Sequence, residues 1–228
     1  MSVKKTKRPG PVRKRILLVD DHPMTRYGMA QLLQQEGEFE ICGEADNAHC
    51  ALESIKSLRP DLVLTDLAMP GRHGLEFLKD MRAMHPEVAV LVVSMQDEAL
   101  YAERVLKAGG RGYVMKHAGG KELLQAVRRV LDGHVYLSAA MAAKAVAVFS
   151  GRRVQAVDSV TGELTDREFE VFQCLGQGMT SREIGEQLHM SVKTVETHRR
   201  HVREKLKLET GPALIKFAVR WAGSQSAV

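Results

Sequence analysis

Four short apolar runs in the first half of the chain constrain its fold more strongly than any other feature. Each run ends in one or two polar residues, and segments of helix length separate the runs. With their polar ends, the runs cover residues 16–21, 62–66, 88–94 and 112–116. This pattern predicts parallel strands in an open α/β sheet. Residues 39–45 complete five predicted strands.

The polar residues that end the four runs form a chemically coherent set. They are Asp20, Asp21, Asp66, Ser94 and Lys116. The ligand crevice of an open parallel sheet lies outside the carboxyl ends of its strands, so we expect these side chains to meet at one rim. Three carboxylates that meet repel one another unless a cation neutralises them, and a site of oxygen ligands suits Mg²⁺. Lys116 then provides the counter-charge for an anion.

This set of groups suits phosphoryl chemistry. One Asp can act as a nucleophile towards a phosphoryl group while Mg²⁺, held by the others, offsets charge on the phosphoryl oxygens. Ser94 can donate a hydrogen bond to one of those oxygens, and Lys116 can pair with another. Taken singly, each residue has a plainer explanation, because an Asp after a strand often caps the next helix and a Ser often ends a strand. Their joint occurrence favours the functional interpretation.

The residues around these positions resemble the receiver domain of two-component response regulators. The matching segments are LLVDDHPMTRYG (17–28), RPDLVLTDLAMPGRHGLEFL (59–78), VVSMQDE (92–98) and KAGGRGYVMKHA (107–118). The resemblance implies a doubly wound, five-stranded parallel α/β sheet of the flavodoxin/CheY type.

The resemblance also implies a role for each residue of the set. Asp66 is then the phospho-acceptor, with Ser94 and Lys116 as phosphate contacts and Tyr113 as the switch aromatic. The implied Mg²⁺ ligands are Asp20, Asp21, Asp66 and the carbonyl of Ala68. In the family, the positions of Ala68 and Gln96 influence how readily water attacks the aspartyl phosphate. Neither residue is acidic here, so we expect a phosphoryl group of moderate or long lifetime.

A second module begins near residue 163 and has the pattern of short helices joined by tight turns. Thr165 with Glu168, and Thr180 with Glu183, form two capping boxes that predict helix starts fifteen residues apart. Ser191 is placed to cap a third helix. A fourth helix is predicted from the apolar stripe of Leu214, Phe217, Ala218 and Trp221. Four such helices are the ingredients of a small all-α helix-turn-helix domain.

The third of these helices has an apolar side and a polar side. Val195 and Val202 fall on one side, whereas Lys193, Thr197 and Arg200 point the opposite way. Arg and Lys can pair with guanine edges or phosphates, and a Thr can contact a base or a thymine methyl group. In proteins generally, such a pattern more often indicates a charged helix face that is exposed to solvent than one that binds a ligand.

Residues 162–206 closely resemble the LuxR-type DNA-binding domain, which favours DNA as the ligand of this face. Glu196 lies on the shoulder of the helix, where a carboxylate can accept a hydrogen bond from cytosine N4. The candidate DNA contacts are Lys193, Glu196, Thr197, Arg200, Thr180 and Thr194.

The basic residues are concentrated at the start of the chain. The first 15 residues contain seven Lys or Arg and no acidic residue, so the net charge of +5 is largely a property of this segment. We predict four regions: a basic disordered tail (1–14), a receiver domain (15–134), a partly helical linker (135–162) and a LuxR-type helix-turn-helix domain (163–228).

Composition narrows the class of protein further. No apolar stretch reaches the roughly 20 residues that a membrane span needs, and no signal peptide is recognisable, which predicts a cytoplasmic protein without membrane contact. The three cysteines have no metal-binding spacing and are expected to be reduced thiols.

These features predict a transcription regulator rather than an enzyme. We expect a sensor histidine kinase to phosphorylate Asp66, and the phosphorylated protein to bind double-stranded DNA as a homodimer. Two alternatives remain at this stage. One is a Mg²⁺-dependent hydrolase that forms an aspartyl phosphate at Asp66, and the other is a DNA-binding regulator that works without phosphorylation.

Overall fold

The computed structural model describes residues 13–70, 73–143 and 162–225. The chain divides into two compact units, Met1–Ala142 and Ala143–Val228. Residues 1–12 of the predicted basic tail and residues 144–161 of the predicted linker lie outside the described residues. Within the described residues, no helix combines the length and the apolar character needed to cross a membrane.

A five-stranded parallel sheet forms the centre of the first unit. Its strands are β1 (Lys14–Val19), β2 (Phe39–Ala45), β3 (Leu62–Thr65), β4 (Ala89–Ser94) and β5 (Tyr113–Met115). They are arranged in the order β2-β1-β3-β4-β5, which is a doubly wound sheet of the kind that the resemblance to receiver domains implies. β3 is buried along its whole length, because helices cover both faces of the sheet. That burial explains why its sequence is a continuous apolar run.

Five helices follow the five strands in alternation. They are α1 (Pro23–Gln35), α2 (Ala48–Leu58), α3 (Gly74–Met84), α4 (Glu98–Ala108) and α5 (Gly120–Leu131). Side chains fix where several of them begin: Asn47 accepts a hydrogen bond from the Cys50 amide, and Asp97 accepts one from the Ala99 amide, each at 2.9 Å. The helix N-termini therefore lie at the same rim as the carboxyl ends of the strands.

An apolar cluster packs one face of the sheet against α1 and α5. Leu33 of α1 and Val127 of α5 are fully buried in it, together with Leu64 and Leu91 of the central strands. Such close packing leaves little freedom for the strands to shift against one another. The core therefore fixes the relative positions of the residues that follow β1, β3 and β4.

Four helices form the described part of the second unit, residues 162–225, as the sequence predicts. They are α6 (Asp166–Gly176), α7 (Ser181–Gln187), α8 (Val192–Lys205) and α9 (Gly211–Gln225). Both predicted capping boxes are present: Glu168 accepts from the Thr165 amide at 2.8 Å, and Glu183 accepts from the Thr180 amide at 2.7 Å.

The turn between α7 and α8 depends on a glycine. Gly185 lies inside α7, where glycine costs about 1 kcal/mol of helix propensity relative to alanine. A Cβ atom at this position would lie 2.8 Å from the carbonyl oxygen of Met190, so a side chain would push the turn away. Ser191 then caps α8 by accepting a hydrogen bond from the Thr194 amide at 3.1 Å.

Aromatic and aliphatic side chains fill the core of the second unit. Phe172 lies 5.2 Å from Trp221 between ring centroids, which joins α6 to α9. Val195 and Val202 of α8 are both fully buried against this core. Because one side of α8 is buried in this way, its opposite side faces solvent.

The buried Glu168 links α8 to the first turn of α6. Its carboxylate accepts from Lys205 Nζ at 2.6 Å, in addition to its capping bond with the Thr165 amide. Burial alone raises the pKa of the Glu168 carboxyl, but these bonds outweigh burial and hold the pKa below its ordinary value. The carboxylate is therefore ionised and paired at neutral pH.

We expect Val202→Ala to lower the free energy of unfolding of the second unit by about 1–3 kcal/mol, because it leaves a cavity under α8. Val192→Ala is the matched control, since Val192 is on the same helix and is 48% exposed. The control should change stability by less than about 0.5 kcal/mol. Denaturant unfolding of both variants measures the difference, and equal stabilities would contradict the packing described for α8.

Candidate functional site

Asp66 lies at the carboxyl end of β3 and is almost fully buried, with 3% of its surface exposed. Its Oδ1 accepts hydrogen bonds from Ser94 Oγ and from the Leu67 amide, both at 2.6 Å. Its Oδ2 accepts from Lys116 Nζ at 2.7 Å. The structure therefore brings together the hydroxyl and the ammonium that the sequence predicts around this carboxylate.

Lys116 connects two carboxylates. Its Nζ lies 2.7 Å from Asp20 Oδ2 and the same distance from Asp66 Oδ2. Burial lowers the pKa of the Lys116 ammonium, but the contacts with the two carboxylates outweigh burial and raise the pKa above its ordinary value. The ammonium therefore remains charged and partly offsets the repulsion between the carboxylates.

The strands position these groups through backbone hydrogen bonds that continue past their ends. The Asp66 amide donates to the Val19 carbonyl at 2.9 Å, and the Lys116 amide donates to the Ser94 carbonyl at 2.8 Å. Gly74 at the start of α3 packs tightly on this loop, since a Cβ atom there would lie 2.8 Å from the Asp66 carbonyl oxygen.

An acidic cluster at this rim has the donor set of a divalent-cation site. One ligand atom from each of four residues, Asp20, Asp21, His22 and Asp66, lies within 4.8 Å of all the others. Asp20 Oδ2 and Asp21 Oδ1 are buried and accept no hydrogen bond of good geometry from the described residues, although each makes an ion-pair contact. Buried carboxylate oxygens in this state fit a hard cation.

His22 belongs to this cluster, which the sequence analysis did not anticipate. Its Nδ1 lies 2.7 Å from Asp21 Oδ1, and its backbone amide donates to Asp20 Oδ1 at 2.8 Å. The ring is largely exposed at the mouth of the site. The sequence signal that could have identified His22 as part of the cluster is its position directly after two acidic residues.

The remaining predicted residues of this site lie close by. The Ala68 amide donates to Asp66 Oδ1 at 3.3 Å, which puts Ala68 beside the carboxylate. The Tyr113 ring is fully buried, and its hydroxyl donates to the Gln96 carbonyl at 2.7 Å. Burial raises the pKa of the Tyr113 phenol, so the hydroxyl keeps its proton and remains a donor.

In the second unit, the side of α8 opposite Val195 carries polar and charged groups. Lys193 and Arg200 are exposed, and Thr197 is half-buried, with its hydroxyl donating to the Lys193 carbonyl at 3.0 Å. Among the described residues, the ion-pair contact of Arg200 is a distant one, 4.0 Å from Glu204. Its guanidinium is therefore available to a ligand of this face.

Glu196 is engaged with neighbouring side chains. Its Oε1 accepts from Ser181 Oγ at 2.5 Å and from Arg199 at 2.9 Å. Arg199 also donates to Ser181, so the three side chains tie α7 to α8. This network links the start of α7 to α8, and nothing in the sequence periodicity pointed to it.

Thr180 and Thr194 have local partners. The Thr180 hydroxyl donates to Glu183 at 2.7 Å as part of the cap of α7. The Thr194 hydroxyl lies 2.7 Å from that of Ser191 at the start of α8. Both residues are exposed near the N-termini of these helices, where backbone amides can also bind phosphates.

Comparison with known proteins assigns the chain to a family. Residues 16–128 match the response regulator receiver domain, and residues 162–218 match the bacterial regulatory proteins of the luxR family. The oxygen regulatory protein NreC of Staphylococcus aureus is 32% identical over 210 residues, which span 90% of this chain and 97% of that protein. The chain belongs to the NarL/FixJ response regulators.

Solved response regulators share the fold. RcsB from Salmonella enterica serovar Typhimurium, bound to a promoter, superimposes with a TM-score of 0.63 and 22% identity over 90% of this chain and 98% of that chain. The receiver domain of the putative response regulator NarL from Mycobacterium tuberculosis gives a TM-score of 0.52 and 33% identity over 54% of this chain and all of that chain. This response regulator thus joins a receiver domain to a LuxR-type DNA-binding domain.

We expect Asp21→Asn to weaken divalent-cation binding by about tenfold or more, since losing even an outer-shell partner of a metal costs about 10–100-fold in affinity. Asp46→Asn is the matched control, because Asp46 is an exposed carboxylate just after β2, at the same rim but outside the cluster. Calorimetric titration with Mg²⁺ measures both. Equal affinities for the two variants would exclude Asp21 from the cation site.

Proposed function

We propose that Asp66 is the phospho-acceptor through which this response regulator controls its DNA binding. The observation that carries the proposal is the arrangement around one buried carboxylate, to which Ser94 and Lys116 donate hydrogen bonds at 2.6 and 2.7 Å. A hydroxyl and an ammonium in these positions can bind two oxygens of a phosphoryl group attached to Asp66.

The phosphoryl donor in this proposal is a phosphohistidine of a sensor histidine kinase. An Asp66 carboxylate oxygen forms a bond to phosphorus while the phosphorus–nitrogen bond breaks, and the departing imidazole takes up a proton. Lys116 pairs with one phosphoryl oxygen, and Ser94 donates to another. Bound Mg²⁺ supplies charge neutralisation of the phosphoryl oxygens. Asp20, Asp21, Asp66 and the Ala68 carbonyl would hold it.

The proposed DNA contacts lie on the outer side of α8 and at the helix N-termini beside it. Arg200 and Lys193 provide positive charge for guanine edges or phosphates, and Thr197 can contact a base or a thymine methyl group. Glu196 accepts from Ser181 and Arg199, and its second oxygen can accept from cytosine N4. Thr180 and Thr194 are proposed to contact the DNA backbone.

Phosphorylation is proposed to act by shifting a conformational equilibrium in favour of a DNA-binding homodimer. A phosphoryl group does this if it interacts more strongly with one arrangement of Ser94 and Tyr113 than with the other. One helix-turn-helix reads only a short half-site, so a two-fold operator calls for two copies of the chain. We place this activity in the cytoplasm, where double-stranded DNA and the kinase domains of sensors meet.

Asp66→Asn keeps the shape of the side chain but removes the nucleophile, so we expect the variant to incorporate no phosphate from acetyl phosphate and Mg²⁺ while it remains folded. Asp132→Asn is the control, because Asp132 is exposed at the end of α5. Intact-mass spectra read the incorporation. An equal mass increase in Asp66→Asn would refute the assignment, and continuous phosphate release without a phosphorylated species would favour a hydrolase instead.

For DNA binding, Arg200→Ala should reduce affinity for operators selected with the wild-type protein by roughly 1–3 kcal/mol and relax the preference at one base pair. The melting temperature should not change, because Arg200 is exposed. Arg220→Ala removes the same charge from an exposed position on α9 and should keep the wild-type preference. If both variants discriminate operators as the wild type does, α8 does not read DNA through this side.

A further inference from the structure

A buried carboxylate lies outside the phospho-acceptor cluster. Glu98 is the first residue of α4, and only 7% of its surface is exposed. Its Oε1 accepts a hydrogen bond from the backbone amide of Ser138 at 2.8 Å, across 40 residues of sequence. Burying a carboxylate costs free energy unless the carboxylate accepts hydrogen bonds. Here the N-terminus of α4 and the Ser138 amide both stabilise the Glu98 carboxylate.

The segment that carries Ser138 lies along the edge of the sheet. The Tyr136 amide donates to the Arg111 carbonyl, and the Tyr113 amide donates to the Tyr136 carbonyl, each at 3.0 Å. The segment therefore pairs with the chain on either side of Gly112 and covers the end of β5. Tyr113 therefore makes two contacts. Its amide donates to the Tyr136 carbonyl, and its hydroxyl donates to the Gln96 carbonyl.

Ser138 also starts a helical turn at the end of the first unit. Its Oγ accepts from the Met141 amide at 3.2 Å, and its carbonyl accepts from the Ala142 amide at 2.9 Å. The residues that join the two units in sequence follow directly. Glu98 thus holds the residue at which the connection to the DNA-binding domain begins.

The same short loop contacts both the phospho-acceptor and the connection. It runs from Ser94, whose hydroxyl bonds to Asp66, through Gln96, whose carbonyl bonds to Tyr113, to Glu98 at its other end. Only residues 95–97 separate Ser94 from Glu98. The loop is therefore short enough to link a displacement of Ser94 to the residue that bonds to Ser138.

We propose that Glu98 is a positioning residue that transmits the phosphorylation state of Asp66 to the connection between the two domains, through its hydrogen bond to the Ser138 amide. The inference rests on the proposed function, because it requires that phosphate on Asp66 changes DNA affinity. The bond is a discrete contact that can be made or broken, which is what a two-state coupling element requires.

Three full-length variants test the proposal. Glu98→Ala removes the acceptor, whereas Glu98→Gln keeps an oxygen that can accept from Ser138. Glu103→Ala is the matched control, because Glu103 is exposed on the same helix, where it pairs with Lys107. For each variant we would measure phosphate incorporation, melting temperature, hydrogen exchange of the Ser138 amide, and the ratio of operator affinities with and without phosphate.

We expect all three variants to incorporate phosphate as the wild type does, because Glu98 does not contact Asp66. In Glu98→Ala the Ser138 amide should lose its protection, and the affinity ratio should fall to within about twofold of one, whichever of the two affinities changes. Glu98→Gln should restore most of the protection and of the ratio, and Glu103→Ala should match the wild type.

Two results would overturn the inference alone. One is a wild-type affinity ratio above one that stays the same in Glu98→Ala. The other is protection of the Ser138 amide from hydrogen exchange that stays the same in Glu98→Ala. A merely structural role would lower the melting temperature and both affinities together while preserving their ratio, which also contradicts the proposal. A wild type whose DNA affinity does not respond to phosphate would instead contradict the proposed function, and this inference with it.

Discussion

Three carboxylates meet at the carboxyl edge of the receiver sheet, and the Lys116 ammonium contacts two of them at 2.7 Å. Carboxylates brought this close without a cation would repel one another at a considerable cost in free energy. The ammonium therefore offsets part of the cost of burying Asp20 and Asp66 side by side. A phospho-acceptor needs the Asp66 carboxylate at this place, so the stability of the site and its proposed chemistry depend on the same contact.

The sheet makes this contact possible because of its strand order. β1 and β3 are neighbours although α1, β2 and α2 separate them in sequence, so the residues that follow them lie side by side. β4 and β5 then bring Ser94 and Lys116 to the same rim. Each residue follows a strand that is held by apolar packing, so the packed sheet brings these side chains together.

In the second unit, one side of α8 is buried while the opposite side is exposed to a partner. Val195 and Val202 anchor α8 to the aromatic core, and Glu168 pairs with Lys205 near its end. The contact of Glu196 with Ser181 orients α8 against α7. Together these contacts position α8 against its neighbours, and a surface that is positioned before binding loses less entropy when it binds.

The sequence alone determined the five strands, their helices, both capping boxes and the buried side of α8, because each depends on periodicity or on residues three or four apart. It also predicted that Asp66, Ser94 and Lys116 would share a rim, since the ends of parallel strands coincide. Only the tertiary structure decided that His22 joins the acidic cluster and that Glu98 bonds to Ser138. Glu98 and Ser138 are 40 residues apart, a separation that follows no helix or strand period. His22 is next to Asp21 in sequence, but only the packed strands bring it close to Asp66.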